Sequence, residues 1–172
     1  KVTCPVHILK ADGGTIPVLS ALHEPVEAIF TGPAASVLGI EALTAPEENA
    51  ISLDIGGTTT DIAFWEKGKP LMGRRGARIN NFPTAVRSFH MRSIGIGGDS
   101  RINKLADGSY EVGPERAGIC AALGGSEATL SDALILVGYV SFGEKTKAEE
   151  ALQKFGTNPL AESKKIIAAA VE

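Results

Sequence analysis

Residues 54–63 read DIGGTTTDIA: Asp54 and Asp61 enclose a Gly56-Gly57 bend and the hydroxyls of Thr58, Thr59 and Thr60. Glycine adds no side chain and permits unusual backbone angles, so a bend of this kind lets backbone N–H groups approach an anion closely. The threonine hydroxyls add donors for phosphate oxygens. Two carboxylates repel a phosphate unless a cation stands between them. With Mg2+ there, Asp54 and Asp61 hold the ion through water while the ion neutralises the phosphates. Acid, glycine and hydroxyl together point to metal and nucleotide. The same ten residues also fit a plain tight turn whose aspartates bond the local backbone, and both readings stand.

The surroundings give the bend its setting. AISLDI (50–55) is an apolar run short enough for a buried strand, and Ile62 to Trp65 is a second. Lys67-Gly68-Lys69-Pro70 turns into a third strand around Leu71 to Ile79. A three-stranded meander results, with the quoted stretch at its first bend. Upstream, Thr31-Gly32-Pro33 opens a helix over AASVLGIEAL, with threonine as cap and proline in the first turn, and Ala45-Pro46-Glu47-Glu48-Asn49 ends it. Downstream, SIGIGGDSRIN (93–103) is glycine-rich between isoleucines, and Asp107-Gly108-Ser109 turns into Tyr110-Glu111-Val112. Pro114 opens a helical stretch through Leu123 that Gly124-Gly125 breaks, and TLSDALILVGYV fits a largely buried helix from about Thr129. Two alanine-rich helical runs from Lys147 to Glu172 separate at Gly156-Thr157-Asn158-Pro159.

Bulk properties narrow the field. A chain of 172 residues has the usual size of one domain, so a single domain with one core is expected over 1–172. A net charge of -3 gives no reason to expect nucleic acid. No apolar run reaches the length of a membrane span and no leader precedes a small-residue cleavage site, so no membrane contact and a cytoplasmic address are expected. Cys4 and Cys120, far apart, read as reduced packing residues, and His7, His23 and His90 are too scattered for a metal cluster. The chain opens at Lys1 without methionine, in the manner of a segment cut from something longer.

DIGGTTTDIA resembles the second phosphate-binding hairpin of the actin, sugar-kinase and Hsp70-like ATPases. The run TGPAASVLGIEAL before it, then SIGIGGDS, DGSYEVGPERAG and ATLSDALILVG after it, resembles in order the A-type subunit of the hydantoinase/5-oxoprolinase family. The resemblance covers nearly the whole chain. It implies an α/β fold, one lobe of an actin-like (ribonuclease H-like) ATPase with a mixed sheet, the meander and flanking helices. It implies a parent that uses ATP and Mg2+ to open a cyclic amide such as 5-oxoproline or a hydantoin, usually with a B-type partner subunit; some relatives carboxylate ketones instead.

By the same resemblance, Asp54, Gly56, Gly57, Thr58, Thr59, Thr60 and Asp61 form the phosphate and metal-water group. Gly95, Gly97, Gly98 and Ser100 line the cleft, and Asp132 joins Asp54 and Asp61 near the metal. Asp99 stands where the commoner family pattern has a third glycine. There it is a metal ligand, a base, a repellent for anionic substrate or a turn cap. Asp132 is alternatively a helix-start acid favoured by the helix dipole. The family's amino-terminal lobe with its own phosphate hairpin and its later G-G-A-G-P adenosine segment have no match here, so the isolated chain is expected to be inactive. Two other functions share the scaffold: a regulatory or chaperone-like ATPase, and a sugar or acyl kinase.

Overall fold

The computed structural model describes residues 3–44, 47–79 and 82–171. Its elements in chain order are β1 (His7–Leu9), β2 (Thr15–Pro17), α1 (Val18–His23), α2 (Thr31–Thr44), β3 (Ala50–Ile55), β4 (Thr60–Glu66), β5 (Lys69–Pro70), β6 (Arg78–Ile79), β7 (Phe82–Pro83), β8 (Met91–Ile94), β9 (Ser100–Lys104), β10 (Tyr110–Arg116), α3 (Leu130–Val137), α4 (Lys145–Leu152) and α5 (Pro159–Val171).

Where length predicts one core, the chain forms two compact units: Lys1–Asp54 with Asp61–Ser93, and Ile55–Thr60 with Ile94–Glu172. Each buries its own apolar clusters. In the first unit, Ala34 and Val37 of α2 pack with Ala63 and Trp65 of β4 and with Phe89. In the second, Ile102, Tyr110 and Val112 of the β9–β10 hairpin pack with Leu130, Ala133 and Leu136 of α3, Leu152 of α4, Phe155 just after it and Ile166 of α5. Each unit holds a second, smaller cluster as well, Ala11, Ala77 and Val86 in the first and Cys120, Ala122, Ile135 and Ala148 in the second.

The meander is present as β3-β4-β5, with β8 also pairing β4. Its third strand differs from expectation: Lys67 (φ 50) and Gly68 (φ 77) make a two-residue turn, so β5 begins at once at Lys69. Positive φ at both turn residues matches the right-handed twist of a hairpin. Residues 71–79 pair instead with 82–90 as a ribbon.

Two further expectations are corrected. Thr31 lies inside α2, and its hydroxyl donates to the carbonyls of Leu9 (2.9 Å) and Ala28 (2.8 Å), so it anchors the helix to β1 rather than capping it. The expected end of this helix at Ala45-Pro46 falls outside the described residues. Pro114 lies within β10, where the register shifts between Val112 and Arg116, and only Ala121–Leu123 is helical. A proline without N–H is tolerated at such a bulge. Gly113 beside it has φ 71, and a Cβ there would stand 2.4 Å from the Gly95 carbonyl.

The carboxy-terminal punctuation behaves as its residue types dictate. Asn158 Oδ1 accepts from Ala161 N–H (3.1 Å) and Pro159 starts α5, an N-cap followed by a proline at the first helical position. No helix among the described residues is long and apolar enough to cross a membrane.

Candidate functional site: a glycine cradle around the 56–59 hairpin

The hairpin closes on itself through Gly56 N–H to the Thr59 carbonyl, 2.9 Å. In the second unit the glycine segment grips it backbone to backbone: Gly98 N–H donates to Gly56 O (2.9 Å) and Asp99 N–H to Gly57 O (2.7 Å). This approach is why glycines are required. A Cβ on Gly97 would lie 2.6 Å from Gly56 O and from Gly57 C and O, and one on Gly98 would lie 2.6 Å from Ser131 Oγ. Ser131 N–H in turn donates to Gly98 O (2.8 Å), tying the segment to the start of α3.

The grip uses the hairpin's carbonyls and leaves its donors outward. The N–H groups of Gly57, Thr58 and Thr59 and the hydroxyls of Thr58 and Thr59 donate in none of the described hydrogen bonds. Gly56, Gly57 and Thr58 are exposed and Thr59 is half-buried. Closely spaced N–H groups facing solvent make an anion-binding concavity. A phosphate group therefore fits the donor set on this structure.

Several expected ligand residues prove to be supports. Thr60 Oγ1 donates to the Ile96 carbonyl (2.8 Å), pinning the base of the hairpin. Ser100 is 1% exposed, and its Oγ accepts from Gly97 N–H at 2.9 Å. Gly95 abuts the bulge, where a Cβ would meet Pro114 at 2.9 Å. Asp99 Oδ2 accepts from Arg116 Nε (3.0 Å) and Nη2 (2.7 Å), while the same oxygen lies 2.6 Å from where a Gly57 Cβ would stand. A carboxylate forked by a guanidinium is a planar, well-fixed group, so Asp99 braces the hairpin tip. Arg116 is missing from the sequence analysis; no local signal marks it, because its partner lies 17 residues away across the bulge.

Asp132 is fully buried and accepts from Ala121 N–H (3.0 Å), Ala122 N–H (2.8 Å), Thr129 N–H (2.8 Å) and Thr129 Oγ1 (3.3 Å). With Thr129 it forms a capping box at the start of α3. Four donors match the roughly four lone-pair sites of a carboxylate, which makes it a cap and revises its expected place at a metal. Asp54 and Asp61 belong to the first unit. Asp54 accepts a hydrogen bond from the Ser36 hydroxyl of α2, and half-buried Asp61 makes no described hydrogen bond or ion pair. Among the described residues no three His, Cys, Asp or Glu side chains gather to hold a metal.

The chain has a mixed α/β fold in which glycines cradle the 56–59 hairpin. The solved nucleotide-free structure of acetone carboxylase shares that fold: it superposes with a TM-score of 0.80 at 21% identity, covering 95% of this chain and 26% of that one. The chain belongs to the hydantoinase/oxoprolinase family, whose model matches residues 1–162. It is 28% identical over 146 residues to the caprolactamase subunit alpha of Pseudomonas jessenii, covering 81% of this chain and 21% of that protein. It is 30% identical over 146 residues to the acetophenone carboxylase gamma subunit of Aromatoleum aromaticum, covering 75% and 20%. The chain thus spans about a fifth of the length of the curated relatives it matches.

Proposed function

We propose that this chain is the phosphate-binding portion of an ATP-dependent enzyme that hydrolyses a cyclic amide, working with a B-type partner subunit and with polypeptide beyond these 172 residues. The observation that carries the proposal is the outward set of N–H and hydroxyl donors on Gly57, Thr58 and Thr59, held by a cradle that only glycine permits. The relative named caprolactamase supports a ring-amide substrate.

ATP, when bound, supplies the phosphoryl group that turns a ring-amide oxygen into a leaving group, and Mg2+ offsets the charge of its phosphates. The residues of this chain bind and orient. Backbone N–H groups at 57–59 and the Thr58 and Thr59 hydroxyls bind phosphate oxygens. Asp54 and Asp61 are the residues that would hold Mg2+, a role suited to hard carboxylate oxygens. Gly97, Gly98, Thr60, Ser100 and the Asp99–Arg116 pair keep the donors fixed, and preorganised donors contribute most of their effect because they do not rearrange during the reaction.

The test is ADP release by the full-length protein with Mg2+, alone and with 5-oxoproline, caprolactam and a panel of hydantoins, with and without the partner subunit. Stimulation by one ring compound is the expected result. Stimulation only by a ketone with bicarbonate would move the protein to the carboxylase branch, which the names of two of its relatives favour. A basal rate unmoved by any of these compounds would refute the proposal and leave a regulatory ATPase or a kinase. The 172-residue chain by itself is expected to show no turnover.

A further inference from the structure

Between Glu66 and Asp99 the chain contains no acidic residue. Lys67, Lys69, Arg74, Arg75, Arg78, Arg87 and Arg92 stand in that interval, seven of the 17 lysines and arginines, which leaves 10 cations against 20 acids elsewhere. All seven are exposed and belong to the first unit. Lys67, Lys69, Arg74, Arg75, Arg87 and Arg92 take part in none of the described ion pairs.

A defined ribbon, residues 71–79 against 82–90, carries four of these charges, Arg74, Arg75, Arg78 and Arg87. His90 N–H donates to Leu71 O (2.6 Å), Met72 bridges Phe89, Gly73 N–H donates to Ser88 O (2.9 Å), Ala77 N–H donates to Val86 O (2.8 Å), and β6 pairs β7. Ala77 and Val86 anchor the ribbon in a cluster with Ala11. Beside the arginines, Ile79 and Phe82 are exposed, Phe82 by 75%.

Folding alone does not account for this arrangement. Like charges at such density repel one another and oppose the compact state. Five of the seven are arginine, and arginine with an exposed aromatic residue is the composition of the centre of a protein–protein interface, where lysine and acids are depleted. A long polyanion such as nucleic acid would have to pass the strongly acidic remainder of the chain. A local acidic protein face meets no such opposition.

We propose that the ribbon of residues 71–79 and 82–90 is the docking surface for an acidic face of the partner subunit, with Phe82 as its apolar anchor; this rests on the reading above that such a subunit exists. The full-length protein is titrated with its B-type subunit at about 50 and about 300 mM salt, a range over which the Debye length shortens markedly. Affinity is expected to fall by about tenfold or more across that range, and Arg74→Glu/Arg75→Glu to weaken binding by about thirtyfold at the lower salt. Phe82→Ser is expected to weaken it by about tenfold at both. Lys145→Glu/Lys164→Glu makes the same change in net charge at exposed positions of the second unit, and should change affinity less than about threefold.

Equal weakening by the two charge reversals overturns the proposal, as does a complex indifferent to both. A single-stranded RNA of about 20 nucleotides that binds the wild type but not Arg74→Glu/Arg75→Glu, with subunit affinity unchanged, assigns the surface to nucleic acid and overturns it too. Absence of any complex also overturns it. ADP release measured on the same preparations keeps the ATPase reading separate from that result.

Discussion

Two polar assemblies in the second unit answer opposite demands. Around Glu162, donors converge on one carboxylate: the Tyr110 hydroxyl donates to Glu162 Oε2, Lys165 Nζ reaches its Oε1 at 2.9 Å, and Lys104 lies 3.5 Å away while donating to the Phe155 carbonyl. The network joins β9, β10 and α5 and leaves little for a ligand. Around the 56–59 hairpin, the carbonyls turn inward and the donors turn outward. Satisfaction marks a brace, and exposed, preorganised donors mark a binding place. Asp132 and Asp99, both suspected of chemistry, fall with the braces.

That contrast can be broken most severely at Asp132. Asp132→Ala strips the partners from three buried N–H groups and a hydroxyl, each worth about 1–3 kcal/mol when left unpaired, so a loss of about 4 kcal/mol is expected from urea denaturation. A loss below about 1 kcal/mol would reopen its assignment as a ligand. Gly97→Ala comes next. Its methyl must displace hairpin backbone that is already at 2.6 Å, costing about 2 kcal/mol by overpacking, and nucleotide KM should rise by more than stability alone explains. Unchanged KM in a folded Gly97→Ala variant would separate the cradle from the binding place.

Asp99→Asn sharpens the assignment of Asp99. A brace whose amide oxygen still accepts from Arg116 should keep kcat within about threefold, whereas loss of a general base costs about 10²–10⁴. The smallest effect is expected at Glu162. The Tyr110 hydroxyl, then Lys165, holds its carboxyl down to about 2 from an ordinary 4.5, and burial together with Glu162 raises the Tyr110 pKa. A depressed pKa means that the stabilisation is complete above about 4.5 and is lost as pH falls toward about 2. Melting temperature of the wild type should therefore drop more steeply than that of Glu162→Gln between those limits. Parallel curves would sink the account.

The local signals were strong where the chain punctuates itself. DIGGTTTDIA announced the hairpin, Asp107-Gly108-Ser109 the β9–β10 turn, Thr129 with Asp132 a helix start, and Asn158-Pro159 the start of α5. Pro114 misled, because a proline reads alike at a helix start and at a strand bulge until Gly95 is seen pressed against its loop. Thr31 misled similarly: its hydroxyl had a carbonyl of β1 to reach, 22 residues back.

The sequence by itself therefore determined the family, the bend and the residue types a phosphate requires, since glycine, threonine and aspartate carry their chemistry wherever they sit. Only the tertiary structure decided which of them face outward. Thr58 and Thr59 donate in none of the described hydrogen bonds, while Thr60 donates to Ile96, and Ser100, Asp99 and Asp132 accept from Gly97, from Arg116 and from the N–H groups of Ala122 and Thr129. Those partners lie up to 36 residues away, and a hydrogen bond is settled by distance in space, which no spacing along the chain records.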